Sequence, residues 1–125
     1  MKVCSGRLSA EAVTFLAVRC HLALQATYSS RGTASTAKTL FEVTVVAGIL
    51  ARRGHGDLTQ RRAGAAEDAM KRAVRSGLDA GRWLIEDRDI PAMCSLISTF
   101  ERQIAMVSAA ELREAFKSAR TLAVV

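Results

Sequence analysis

The stretch of this chain richest in reactive side chains is Leu50–Gly64, LARRGHGDLTQRRAG. It holds Arg52, Arg53, Arg61 and Arg62, one of the two histidines, His55, and three glycines. Glycines let backbone amides approach a phosphate, a helix opening at Asp57 would present its positive end, and arginines would close an anion pocket. The same residues also have ordinary structural roles. Arg52 and Arg53 suit the negative end of a helix, Gly54 its left-handed terminus, and His55-Gly56 a two-residue connector. Asp57 and Gln60 have the spacing of a capping box, and the Asp57 carboxylate would stand where a phosphate has to sit. No Lys-Ser/Thr pair follows the glycines, so the stretch is not a P-loop. A polar corner between two helices is the preferred reading. An anion or nucleic-acid site on Arg52, Arg53, His55, Arg61 and Arg62 is the alternative.

Little else in the chain has the spacing of a reactive centre. Cys20 and His21 are neighbours, so on a helix they point about 100° apart and cannot serve each other as nucleophile and base. Cys20 falls in an apolar stripe, as inert thiols do. No Glu-x-x-His pair of a di-iron bundle and no zinc-finger spacing occurs. The expectation is a protein that is not an enzyme, with no metal and no cofactor. Cys4, Cys20 and Cys94 are odd in number and widely spaced, which fits a reducing, cytoplasmic setting better than a disulfide framework.

Charge is the broader argument for a nucleic-acid partner. The net charge is +6, and residues 31–62 supply most of it, with six cations against two carboxylates. Such a surface attracts polyanions. Against this, only Tyr28 and Trp83 join four phenylalanines as stacking aromatics. Ala73–Gly77 has the small residues of a helix-turn-helix corner, but charge pairs run through it and argue that the helix continues.

These side chains are positioned by elements that read as helices. Half the residues are hydrophobic and only six are aromatic, a balance suited to close-packed helices. The expected fold is all-α, a single antiparallel bundle of four or five helices over residues 1–125, with helices at about 9–31, 35–53, 57–86, 90–107 and 109–123. Ser9 caps the first, flanked by Leu8 and Val13 as a hydrophobic staple, and Ala12, Val13, Leu16, Cys20, Ala23 and Leu24 form its apolar stripe. Gly32 is expected to end it in the left-handed conformation. In the second, Phe41-Glu42-Val43-Thr44-Val45 alternates like a strand. The helical spacing of Leu40, Val43, Val46 and Leu50, and the length of the stretch, favour helix. It is apolar around most of its girth and therefore central, with Val45 and Ile49 left over as a strip for a partner subunit.

The third helix is expected from Asp57 to about Glu86, on Glu67–Lys71, Asp68–Arg72, Arg75–Asp79 and Arg82–Glu86, opposite charges four apart. Its inward face is small, Ala66, Ala69, Ala73 and Gly77 included, either for close packing or for a kink at Gly77. Trp83 anchors its end in the core or serves as an interface hot spot. Pro91 opens the fourth helix, whose stripe is Met93, Ile97, Phe100, Ile104 and Val107. Ser108 and Glu111 form a capping box for the fifth, which turns Leu112, Ala115, Phe116, Ala119 and Leu122 inward.

Lys2 and Arg7 ahead of Ala12–Val18 resemble a signal peptide, but Glu11 and Arg19 bound that run at seven residues. No stretch reaches the roughly 18 apolar residues of a spanning helix, so no membrane association is expected. The function expected is that of a non-catalytic interaction or regulatory protein, self-associating as a homodimer. A nucleic-acid-binding regulator is the alternative.

Overall fold

The computed structural model describes residues 6–124, with side chains as far as Thr121. Cys4, Lys2 and the inward turn expected of Leu122 lie outside the described residues. The chain forms α1 (Ala10–Tyr28), α2 (Ala34–Arg52), α3 (Gln60–Ala80), α4 (Ile90–Ile104) and α5 (Ala109–Val124). Among the described residues there is no strand, only one bridge between Arg7 and Ser108. The fold is an all-α bundle, as the periodicity of its apolar residues requires.

The valine-rich segment is helix. α2 touches each of the other four helices, and Leu40, Val46, Ala47 and Leu50 are fully buried. Thr44, also fully buried, returns its hydroxyl to the Leu40 carbonyl at 2.7 Å, so the helix carries it without an unpaired polar group. α2 is also long and apolar enough, by composition, to cross a membrane. Here its apolar girth is taken up by neighbouring helices. The other centre of the core is α4, where Met93, Phe100 and Ile104 are inaccessible to solvent. Phe100 meets Phe116 of α5 edge to face, with ring centroids 6.4 Å apart.

Helix starts follow capping chemistry, with two corrections. Ser9 caps α1, its hydroxyl accepting from the Ala12 amide at 3.1 Å. Ser108 accepts from the Glu111 amide at 3.1 Å. α3, however, starts at Gln60 and not at Asp57, because Thr59 is its cap and accepts from the Arg62 amide. α2 is capped reciprocally by Thr33 and Thr36, one residue earlier than expected.

The larger correction concerns the end of α3. It stops at Ala80, where Gly81 adopts a left-handed φ of 72°, so Arg82–Glu86 never share a helix. The chain then turns back, and Trp83 lies across Gly77. A Cβ on Gly77 would stand 2.1 Å from the indole Cδ2. The missing side chain therefore makes room for the tryptophan. α3 continues through Gly77 to Ala80. Gly32 has a similar reason. Ser30, not Gly32, takes the left-handed position after α1, with φ at 67°. A Cβ on Gly32 would meet the Trp83 carbonyl oxygen at 2.1 Å. Arg72 on α3 forms its ion pair with Asp89, just before α4, and not with Asp68, with Nη2–Oδ1 at 2.6 Å and Nε–Oδ2 at 3.1 Å. The paired geometry raises the pKa of its guanidinium further.

Candidate interaction surfaces

The arginine-rich corner is built by residues of four helices, α2, α3, α4 and α5. α2 ends at Arg52, Gly54 turns with φ at 90° and Gly56 with φ at 81°. The His55 amide closes on the Leu50 carbonyl at 2.9 Å. Underneath lies Gln103 of α4, fully buried, whose amide Nε2 donates to the Ala47 and His55 carbonyls, each at 3.0 Å. A Cβ on Gly56 would come within 2.9 Å of that side chain. Glycine here allows the loop to lie directly on the amide that ties it down.

Two of the five residues expected to hold an anion are occupied within the fold. His55 Nε2 meets Glu111 Oε2 at 2.7 Å. Glu111 thus serves the corner in place of the second half of the expected capping box. Arg62 donates to the Asp57 carbonyl at 2.7 Å, to Ser95 Oγ and to Thr99 Oγ1 at 3.3 Å. It pins the loop to α4. Arg52, Arg53 and Arg61 are exposed and have no carboxylate partner among the described residues. The cluster therefore divides into a structural pair and a solvent-facing trio.

The strip assigned to a partner on α2 is not available. Ile49 is only 6 % exposed, and Val45 is half-buried against the core. A helix surrounded by four others has no spare face at that level. Trp83 is half-buried, with its ring on Gly77 and its carbonyl against Gly32.

Of the large apolar side chains exposed among the described residues, three fall together on α1. Phe15, Val18 and Leu22 are 66 %, 49 % and 62 % exposed. Steps of three and four residues put them in one line along the helix. Cys20, Ala23 and Thr27 face the core from another side. Beside the line, His21 Nε2 meets Glu101 Oε1 of α4 at 3.3 Å. The signal for this stripe is present in the amino-acid order, but α1 carries two apolar stripes, and the one through Leu16 and Cys20 accounts for the core by itself.

Cys20 and Cys94 are free thiols, and each of the two histidines meets a glutamate. Burial pushes the Cys20 thiol up to about 11, with the Glu101 carboxylate adding to the shift, so it is protonated at neutral pH and a poor nucleophile. No group of three or more His, Cys, Asp or Glu side chains converges among the described residues. Family models, curated proteins and solved structures were each compared with the chain, and none matches it.

Proposed function

We propose that the chain is a non-catalytic helical interaction protein that pairs with a second copy of itself through α1. The observation that carries this reading is the exposed line of Phe15, Val18 and Leu22. Three large apolar side chains on one helix face form a patch that association removes from water. Their spacing is self-complementary. Phe15 and Leu22 are equidistant from the midpoint between Val18 and Arg19. Two α1 helices crossing antiparallel about a two-fold axis therefore set each Phe15 beside the Leu22 of the other copy, with both Val18 side chains near the axis. Arg19 and the His21–Glu101 pair flank the stripe and supply a polar rim.

Sedimentation across a concentration series tests this. The expected result is a mass that rises towards the dimer, and Leu22→Glu is expected to return it to the monomer with helix content unchanged, because Leu22 is already 62 % exposed in one chain. A dimer carries the substitution twice, and at about 2 kcal/mol for each buried anchor the affinity falls roughly a thousandfold. A strict monomer at every concentration would remove the proposal.

A second reading, a nucleic-acid-binding regulator, is favoured by Arg52, Arg53 and Arg61, exposed at one corner. Three phosphate contacts give a slope of about −3 in log affinity against log salt for duplex DNA. Substituting the three by alanine flattens that slope, and absence of binding at low salt ends this reading. Neither reading requires a cofactor or a membrane. A reducing, cytoplasmic setting suits Cys20 and Cys94, both free thiols.

A further inference from the structure

A cleft opens between the first half of α2, the second half of α3, the segment that follows α3 and Arg120 of α5. Its volume is about 540 Å³, and its walls are Phe41, Val74 and Trp83. A second depression of about 380 Å³ shares Phe41 and Val74 and continues to Leu78. Leu78 is 74 % exposed, so the apolar floor extends to the rim there. Along α2 the cleft runs from Ala34 to Glu42, about 12 Å at the helical rise.

The rim is cationic. Lys38 and Arg120 stand at the first cavity against Glu42 alone, and Lys71 and Arg75 at the second against Asp79. Glu42 is engaged by Arg120 at 3.4 Å. Lys38 has no carboxylate partner among the described residues. Among the described residues, Arg120 is held by that long contact and by the Phe116 ring at 6.0 Å, with its side chain 66 % exposed. Its guanidinium, two-thirds exposed, can share an anion with Lys38 while keeping the long contact to Glu42.

We infer that this cleft binds a small amphiphilic carboxylate, with its hydrocarbon or aromatic body on Phe41, Val74 and Trp83 and its carboxylate at Lys38 and Arg120. The volume is that of a site for a drug-sized ligand, in the range of roughly 300–1,000 Å³. A protein partner needs a face of about 800 Å², and the apolar surface here is confined to one short cleft. The charge excess on the rim selects an acid over a neutral or cationic head. This site is separate from the α1 stripe and does not depend on self-association.

Trp83 is the only tryptophan, so its emission reports the cleft directly. The 125-residue chain is titrated below the micellar range with hexanoate, octanoate and decanoate, and with decanol and decyltrimethylammonium as controls. The expected result is a saturable change in Trp83 emission. Its midpoint should tighten by up to about fourfold for each methylene covered. Decanoate should bind several-fold more tightly than decanol, and decyltrimethylammonium least. Lys38→Glu, a change at an exposed residue, should weaken decanoate several-fold and leave decanol unchanged. Leu22→Glu should alter none of these midpoints. A non-saturating response overturns the site. Equal binding of all three head groups, or decanoate binding unaffected by Lys38→Glu, overturns the assignment of the carboxylate to the rim.

Discussion

Gln103→Glu is expected to destabilise the bundle by about 4 kcal/mol. The Gln103 side chain is fully buried, and its Nε2 stands 3.0 Å from both the Ala47 and His55 carbonyl oxygens. Glutamate puts an oxygen where that nitrogen is. Two hydrogen bonds become two oxygen–oxygen contacts, and the fold must either bury a negative charge against carbonyl dipoles or hold the acid protonated. Gln103→Leu is the comparison. It leaves the same two carbonyls without this donor, at about 1–3 kcal/mol, but buries no charge. It also removes Oε1, a buried oxygen without a hydrogen-bond partner among the described residues. Urea unfolding should therefore rank wild type above the leucine variant and the leucine variant above the glutamate variant. Equal midpoints for the two variants would show that Gln103 does not hold the corner as described.

The second large effect is expected at Gly77. In an open helix, glycine to alanine stabilises by about 1 kcal/mol. Gly64 is such a position, with nothing within 4 Å of an added Cβ, and Gly64→Ala should raise the thermal midpoint. At Gly77 the added Cβ would stand 2.1 to 2.4 Å from three atoms of the Trp83 indole. The ring has to leave, and overpacking of this kind costs about 1–3 kcal/mol. Gly77→Ala should lower the midpoint and shift Trp83 emission to the red. Combining it with Trp83→Leu should recover part of the loss, because the smaller side chain releases the clash. If Gly77→Ala stabilises as Gly64→Ala does, Trp83 does not pack on Gly77.

Periodicity makes the helices legible in the amino-acid order, and the central place of α2 follows from its apolar girth. Features that depend on one residue meeting another far along the chain are not legible in this way. Asp57 with Gln60 looks like a cap, but Thr59, two residues later, has the hydroxyl that reaches the Arg62 amide. The Asp57 carbonyl is taken by the Arg62 guanidinium. Arg82–Glu86 fits an i, i+4 pair by count, while Gly81 ends the helix and Trp83 folds back across it. The arginine corner was legible as a corner. That Arg62 and His55 are held inside it depends on Ser95, Thr99 and Glu111, which no local spacing associates with it. The α1 stripe could be read from Phe15, Val18 and Leu22 once Leu16 and Cys20 are assigned to the core, since α1 lies mainly against α2 and α4 and buries one stripe there.

Cysteine cross-linking across α1 tests the account most directly. In a chain with Cys4, Cys20 and Cys94 replaced, Val18→Cys should form a disulfide-linked dimer under mild oxidation. Phe15→Cys should not do so alone, but should cross-link to Leu22→Cys when the two variants are mixed. That pattern is the one an antiparallel two-fold pair produces. Cross-linking of Phe15→Cys to itself, or none at any of the three positions, would contradict it.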